Sequence, residues 1–299
     1  MRIHKSTSVF LFLTLTMVLT AALVGCAQAP QSAEDERENA ATQEAQEAQQ
    51  PSSTISDEVP QSQGAPAVDS RAAEFEVDPA RTQWNFEAPQ TKTVYLTFDD
   101  GPSANTQPVL DILDQYGIKA TFFVTGINPD YLSMISECYR RGHTIGMHTY
   151  SHDYEQVYAS VDAYWQDLGQ IADVVRQQIG YVPCFIRFPG GSSNTISANY
   201  TLGIMSELAQ EVVNEGYQYY DWDASCGDGA VHTADELVEA TKADTAYGYQ
   251  SIVFLMHDGA EKQTTVEALP RIIEYFQSEG YTFAPIDRST CVPHHGIGN

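Results

Sequence analysis

From residue 91 onward two apolar patterns take turns along the chain. One is a short run of β-branched and aromatic residues, as in V-Y-L-T-F at 94–98. The other places apolar side chains three or four positions apart, as in Val161, Tyr164, Trp165, Leu168, Ile171, Val175 and Ile179. The first pattern marks a buried strand and the second an amphipathic helix. Strands are predicted at 94–98, 121–124, 144–148, 185–188, 218–222, 252–256 and 282–286. Helices are predicted at 108–116, 131–141, 161–179, 199–215, 234–246 and 265–279. Seven strands alternating with helices favour right-handed β-α-β crossovers and a parallel α/β sheet, and this many units predict a closed or nearly closed (β/α) barrel.

The first 90 residues do not share this rhythm. Arg2 and Lys5 precede an apolar run from Val9 to Val24, too short to span a bilayer comfortably and shaped like a secretory signal. It ends in Leu23-Val24-Gly25-Cys26, which resembles the lipobox of bacterial lipoproteins. That resemblance implies that residues 1–25 are removed and that a lipidated Cys26 tethers the chain to the membrane outside the cytoplasm. A plain signal peptide, or an uncleaved anchor with Cys26 incidental, is the competing reading. Residues 26–90 are rich in Ala, Gln, Glu, Ser and Pro and hold only Phe75, Trp84 and Phe86 of the 32 aromatics. So little apolar surface does not offset the entropy of ordering, and a disordered acidic stalk is expected. Trp84 and Phe86 are the residues that could extend the folded domain, placed at 91–299, a little toward the N-terminus.

Charge narrows the partners. The chain carries 15 Lys and Arg against 40 Asp and Glu, a net −25, and residues 91–299 alone hold 27 acidic and 10 basic groups. Phosphate neutralisation needs clustered cations, so nucleic acid is excluded as a partner. A monomer is expected. Beyond Cys26 stand Cys138, Cys184, Cys226 and Cys291, an even number for an oxidising compartment. Disulfides are therefore expected, with all three full pairings open.

In a parallel barrel the C-terminal strand ends share one rim, where such folds place their chemistry. Asp99 and Asp100 follow the first strand, His148 and His152 the third, and Arg187, Gly190 and Gly191 the fourth. Asp223 and Asp228 follow the fifth, His257 and Asp258 the sixth. His148 and His152 would lie one helical turn apart if their segment coils, so that both reach one ion. Each piece alone has a bland reading, as a turn or as hydrogen-bonded histidines. Together they offer two histidines and a carboxylate as an open metal site, a second carboxylate to accept a proton, and a histidine to protonate a leaving group.

Four segments in order resemble the motifs of the polysaccharide deacetylase family, also called the NodB-homology domain or carbohydrate esterase family 4. They are T-F-D-D-G-P at 97–102, H-T-Y-S-H at 148–152, R-F-P-G-G at 187–191 and L-M-H at 255–257. The resemblance implies a distorted (β/α) barrel and a divalent metal, Zn²⁺ first, with Co²⁺ or another first-row ion as alternatives. It implies removal of N-acetyl groups from GlcNAc units of a cell-envelope polysaccharide, peptidoglycan foremost. An O-acetyl xylan esterase, a chitooligosaccharide deacetylase and a non-catalytic glycan-binding lipoprotein are the alternatives. By motif position Asp99 is the general base, Asp100, His148 and His152 are metal ligands, and His257 is the general acid. Arg187 pairs with Asp99, the Gly190 N–H faces the oxyanion, and Pro189, Trp222 and Leu255 line the substrate pocket. One segment departs: the family often has Asp-x-x-Asp-Trp after the fifth strand, whereas 220–229 reads Y-D-W-D-A-S-C-G-D-G. Asp223, Ser225 and Asp228 are thus open candidates for the partner of His257, and Trp222 for the missing wall.

Overall fold

The computed structural model describes residues 70–299; the signal segment, Cys26 and the stalk up to residue 69 lie outside the described residues. The strands are β1 (Thr93–Asp99), β2 (Thr121–Val124), β3 (Thr144–Met147), β4 (Phe185–Ile186), β5 (Gln218–Tyr219), β6 (Ala224–Ser225), β7 (Ser251–His257) and β8 (Thr282–Phe283). All pair in parallel, in the order β5-β4-β3-β2-β1-β7-β6. β8 pairs the lower end of β1, Thr93 and Val94, while β2 pairs its upper end from Thr97 to Asp99. The result is a distorted (β/α) barrel. It differs from the prediction by the two-residue β6, too short to carry a pattern, and by the opening left between β5 and β6.

The helices α1 (Ser70–Phe75), α2 (Thr106–Tyr116), α3 (Met134–Arg140), α4 (Tyr154–Val157), α5 (Val161–Ile179), α6 (Ile204–Asn214), α7 (Ala234–Asp244) and α8 (Gln263–Ser278) complete the fold. Their ends follow local chemistry. The Ser160 hydroxyl accepts the Ala163 N–H at the start of α5, and Gly180 closes that helix in the left-handed region, φ 91°. Thr233 and Glu236 form a capping box on α7.

Alternation on β1 divides the core in two. Val94, Leu96 and Phe98 face the helices, whereas Tyr95 joins Phe123, Phe185, Tyr220, Val253 and Ile286 inside the barrel. The inward row of β1 therefore runs Tyr95, Thr97, Asp99. β7 lies in register with it, pairing Tyr95 with Val253, Thr97 with Leu255 and Asp99 with His257. A carboxylate and an imidazole are thus delivered side by side to the rim by strand geometry alone.

Two segments without a strong sequence pattern finish the barrel. Residues ahead of 91 already pack on the barrel, from Phe75 onward among the described residues. Phe75 is buried with its ring 5.2 Å from that of Phe185, Val77 and Cys184 exchange backbone bonds with Val182 and Phe75, and Arg288 stacks over Trp84 at 3.9 Å. These contacts supply the apolar burial that the average composition of 26–90 concealed. At the other end, residues 293–295 run beside the segment bridging β5 and β6. His294 stacks on Tyr219 at 3.9 Å, the Asp221 N–H donates to Pro293, and the Asp221 carboxylate accepts the His295 N–H.

The expected disulfides are absent: Cys138, Cys184, Cys226 and Cys291 are all free. Cys138 and Cys226 sit in the outer core and Cys184 in the inner one, so these thiols fill apolar space as small hydrophobes.

Candidate active site

The rim gathers the residues anticipated from the four motifs. Arg187 is fully buried, an expensive place for a cation unless every donor is used. Its Nη1 donates to Asp99 Oδ1 and to Thr97 Oγ1, both at 2.8 Å, its Nε to the Tyr220 carbonyl at 2.8 Å and its Nη2 to the Asp221 carbonyl at 3.0 Å. The guanidinium also lies 4.2 Å from the Phe123 ring centroid. Asp99 Oδ1 is thereby tied down, leaving Oδ2 directed toward His148, whose Nε2 is 3.8 Å away. Burial raises the Asp99 carboxyl above its ordinary value, against the opposing charges of Arg187 and His257.

Asp100, His148 and His152 converge without a helix. Their ligand atoms lie within 4.8 Å of one another, with Asp100 Oδ1 3.3 Å from His152 Nε2 and 3.6 Å from His148 Nε2. The expectation that 148–152 coils into a helical turn is corrected here. β3 ends at Met147, and the loop reaches the same point through left-handed residues, Thr149 at φ 82° and His152 at φ 52°; Asp100 has φ 68°. Non-glycine residues in that region cost of order 1 kcal/mol each and persist where neighbours hold them. Asp167 on α5 is such a neighbour: its buried carboxylate accepts the N–H groups of Tyr150 and Ser151.

These three groups suit a divalent ion. His148 Nδ1 is 2.8 Å from the Arg187 carbonyl, which can only accept, so Nδ1 carries the proton and Nε2 presents its lone pair. Burial pushes His148 down to about 3, keeping it neutral. Asp100 Oδ1 is buried with no hydrogen-bond donor. An anionic oxygen and an imidazole lone pair turned toward one point call for a cation there.

Across the rim His257 Nδ1 donates to Asp228 Oδ1 at 2.8 Å, while Asp228 Oδ2 accepts the His257 N–H and the Thr265 hydroxyl, both at 2.8 Å. Of the three candidates for this role the structure selects Asp228. Asp223 instead accepts the Val253 N–H, and the Ser225 N–H donates to Asp244. Burial alone would lower His257, but the hydrogen bond and charge of Asp228, joined by Asp99 and Asp100, raise it to about 9.

The remaining anticipated residues surround these groups. Gly190 adopts φ 75°, and its N–H makes no hydrogen bond among the described residues. The Pro189 carbonyl accepts the Tyr158 hydroxyl at 2.8 Å. Leu255 lies on the inward row of β7 next below His257, and the Trp222 ring abuts Gly191, leaving a Cβ there only 3.0 Å.

Sequence reasoning missed three supports. Asp167 carried a signal, a carboxylate on the apolar stripe of Tyr164, Leu168 and Ile171. Asp221 accepts both the backbone N–H and the hydroxyl of Ser192, and His295 Nε2 lies 2.7 Å from the Trp222 carbonyl. Neither of these carried one, because the partners lie far apart along the chain.

Comparisons with known proteins identify the family of the fold. Residues 87–208 match the family model described as polysaccharide deacetylase. A peptidoglycan-N-acetylglucosamine deacetylase of Bacillus cereus is 31% identical over 213 residues, 66% of this chain and 70% of that protein. A bifunctional xylanase/deacetylase of Pseudobutyrivibrio xylanivorans is 30% identical over 198 residues, 65% of this chain and 30% of that protein. The crystal structure of the catalytic domain of peptidoglycan N-acetylglucosamine deacetylase from Eubacterium rectale superposes with a TM-score of 0.69. Its identity is 42%, over 74% of this chain and all of that one.

Proposed function

Because the chain belongs to the polysaccharide deacetylase family, we propose that it removes N-acetyl groups from GlcNAc units of peptidoglycan. The observation that carries the reading is the placement of Asp99 and His257 in register on neighbouring strands, beside the Asp100, His148 and His152 cluster. When bound there, a divalent ion, Zn²⁺ or Co²⁺ foremost, supplies Lewis-acid polarisation of the acetamide carbonyl and a water of lowered pKa. Asp99 Oδ2 takes the proton of the attacking water, since Oδ1 is engaged by Arg187, and burial makes the carboxylate a better acceptor. The Gly190 N–H donates to the developing oxyanion. His257 Nε2 gives its proton to the departing amine, its Nδ1 being held by Asp228. Leu255 and Trp222 bound the space for the acetyl methyl group. The Leu23 to Cys26 segment supports attachment to the outer face of the membrane through a lipidated Cys26, so the domain acts on the envelope from a tether.

The test is acetate release from peptidoglycan, chitooligosaccharide and acetylxylan assayed side by side. Peptidoglycan is expected to be turned over fastest, with activity lost on chelation and restored by Zn²⁺ or Co²⁺. Full activity in a His148→Ala, His152→Ala double variant overturns the mechanism. A preference for acetylxylan would move the chain to the chemistry named for its xylanase/deacetylase relative.

A further inference from the structure

Position 190 has no side chain, yet the space beside it is filled. A Cβ built on Gly190 would lie 2.5 Å from the hydroxyl oxygen of Tyr154 and 3.4 Å from its Cζ. Tyr154 opens α4, two residues beyond the ligand candidate His152; two ring contacts and a capped helix start hold it. It meets His152 edge-on at 5.8 Å and Tyr158 at 5.5 Å, and the Asp153 side chain caps the helix by accepting the Glu155 N–H. The Tyr158 hydroxyl is spent on the Pro189 carbonyl, but that of Tyr154 has no hydrogen-bond partner among the described residues. It is not fully buried either. A Cβ position is one bond from the Cα that carries the Gly190 N–H. The phenol oxygen thus stands beside the Cα of Gly190, whose N–H is likewise uncommitted, and the phenol ring meets His152 of the metal cluster.

We propose that Tyr154 is a catalytic residue whose hydroxyl donates a hydrogen bond to the substrate carbonyl oxygen as it becomes an oxyanion, pairing with the Gly190 N–H. The proposal rests on the deacetylase reading above. Removing one preorganised oxyanion donor lowers turnover on the order of 100-fold. In the full chain loaded with Zn²⁺, Tyr154→Phe is expected to lose kcat by that factor on chitooligosaccharide or peptidoglycan fragments. KM, Zn²⁺ affinity and Tm are expected to stay at parental values, because the ring and its packing remain. Parental kcat in Tyr154→Phe, or a loss confined to KM, overturns the proposal; the latter would mark a sugar contact. A second readout needs no turnover: calorimetric binding of acetohydroxamic acid to both Zn²⁺-loaded proteins. Tyr154→Phe is expected to bind it about 10-fold more weakly, and equal affinity overturns the proposal. If the parent released no acetate from any glycan, the deacetylase reading would fail while this binding comparison still decided the role of the hydroxyl.

Discussion

The two sides of the site are built by different means. On one side, the β1 and β7 seam places Asp99 beside His257 through seven consecutive register pairs, with every intervening side chain buried on one face or the other. On the other, Asp100 and His152 reach the metal point through backbone in the left-handed region, and a carboxylate on a distant helix holds the loop. The proposed base and acid are thus fixed by regular structure and the candidate metal ligands by loops in the left-handed region. A strand cannot shift by one residue without turning its whole inward row outward, whereas a loop can relax locally.

This contrast separates the expected effects of substitution. Asp99→Asn should have the largest, a fall in kcat on the order of 10³-fold with bound metal unchanged, measured by acetate release alongside metal analysis. Loss of metal in that variant would mean that the two sides are not independent. Asp228→Asn comes next, with a fall on the order of 10²-fold at neutral pH. As the proposed general acid His257 would act in its protonated form, held up to about pH 9 in the parent, so parental activity should fall as pH rises through that value. Without the Asp228 charge, burial is less opposed and the alkaline limb should move to lower pH; an unmoved pH profile would remove Asp228 from the acid's environment.

The loop side should respond differently. Asp167→Ala should weaken Zn²⁺ affinity about 10- to 100-fold, read by chelator competition, with kcat at saturating metal retained. An unchanged affinity would show that the left-handed loop holds itself. The smallest effect should come from reductant: with four free thiols, Tm should be the same with and without dithiothreitol, and a drop of several degrees would reveal a disulfide.

The same contrast explains what could be read in advance. The apolar runs V-Y-L-T-F and I-V-F-L-M were enough to put Asp99 and His257 at C-terminal strand ends, and parallel pairing brings those ends to one rim. The residues that bind one loop to another were hidden. Spacing could nominate Asp223, Ser225 and Asp228 but not rank them, since the choice depends on how 226–228 folds back onto His257 and Thr265. Asp167 lies 17 positions from Tyr150, and its role surfaces only once α5 packs beneath that loop. The C-terminal segment offered no apolar rhythm, yet His294 and His295 pin Tyr219 and Trp222. The packing of the segment ahead of residue 91 was hidden for a related reason: Phe75 and Trp84 are few, but Phe75 lies in the inner core and Trp84 packs against it.

The placement of β1 also governs how the chain can fold. As the first strand, it pairs with β7 and β8 near the other end, and the bond from Thr97 to Phe254 joins residues 157 positions apart. Closing a loop of that length costs about 4–5 kcal/mol of chain entropy before the central seam contributes anything. Folding is therefore slow and committed late, because an emerging chain has only β2 beside its central strand until residues 251–257 and then 282–283 are available. Such a chain stays threadable for most of its synthesis and becomes a barrel only when nearly all of it is present.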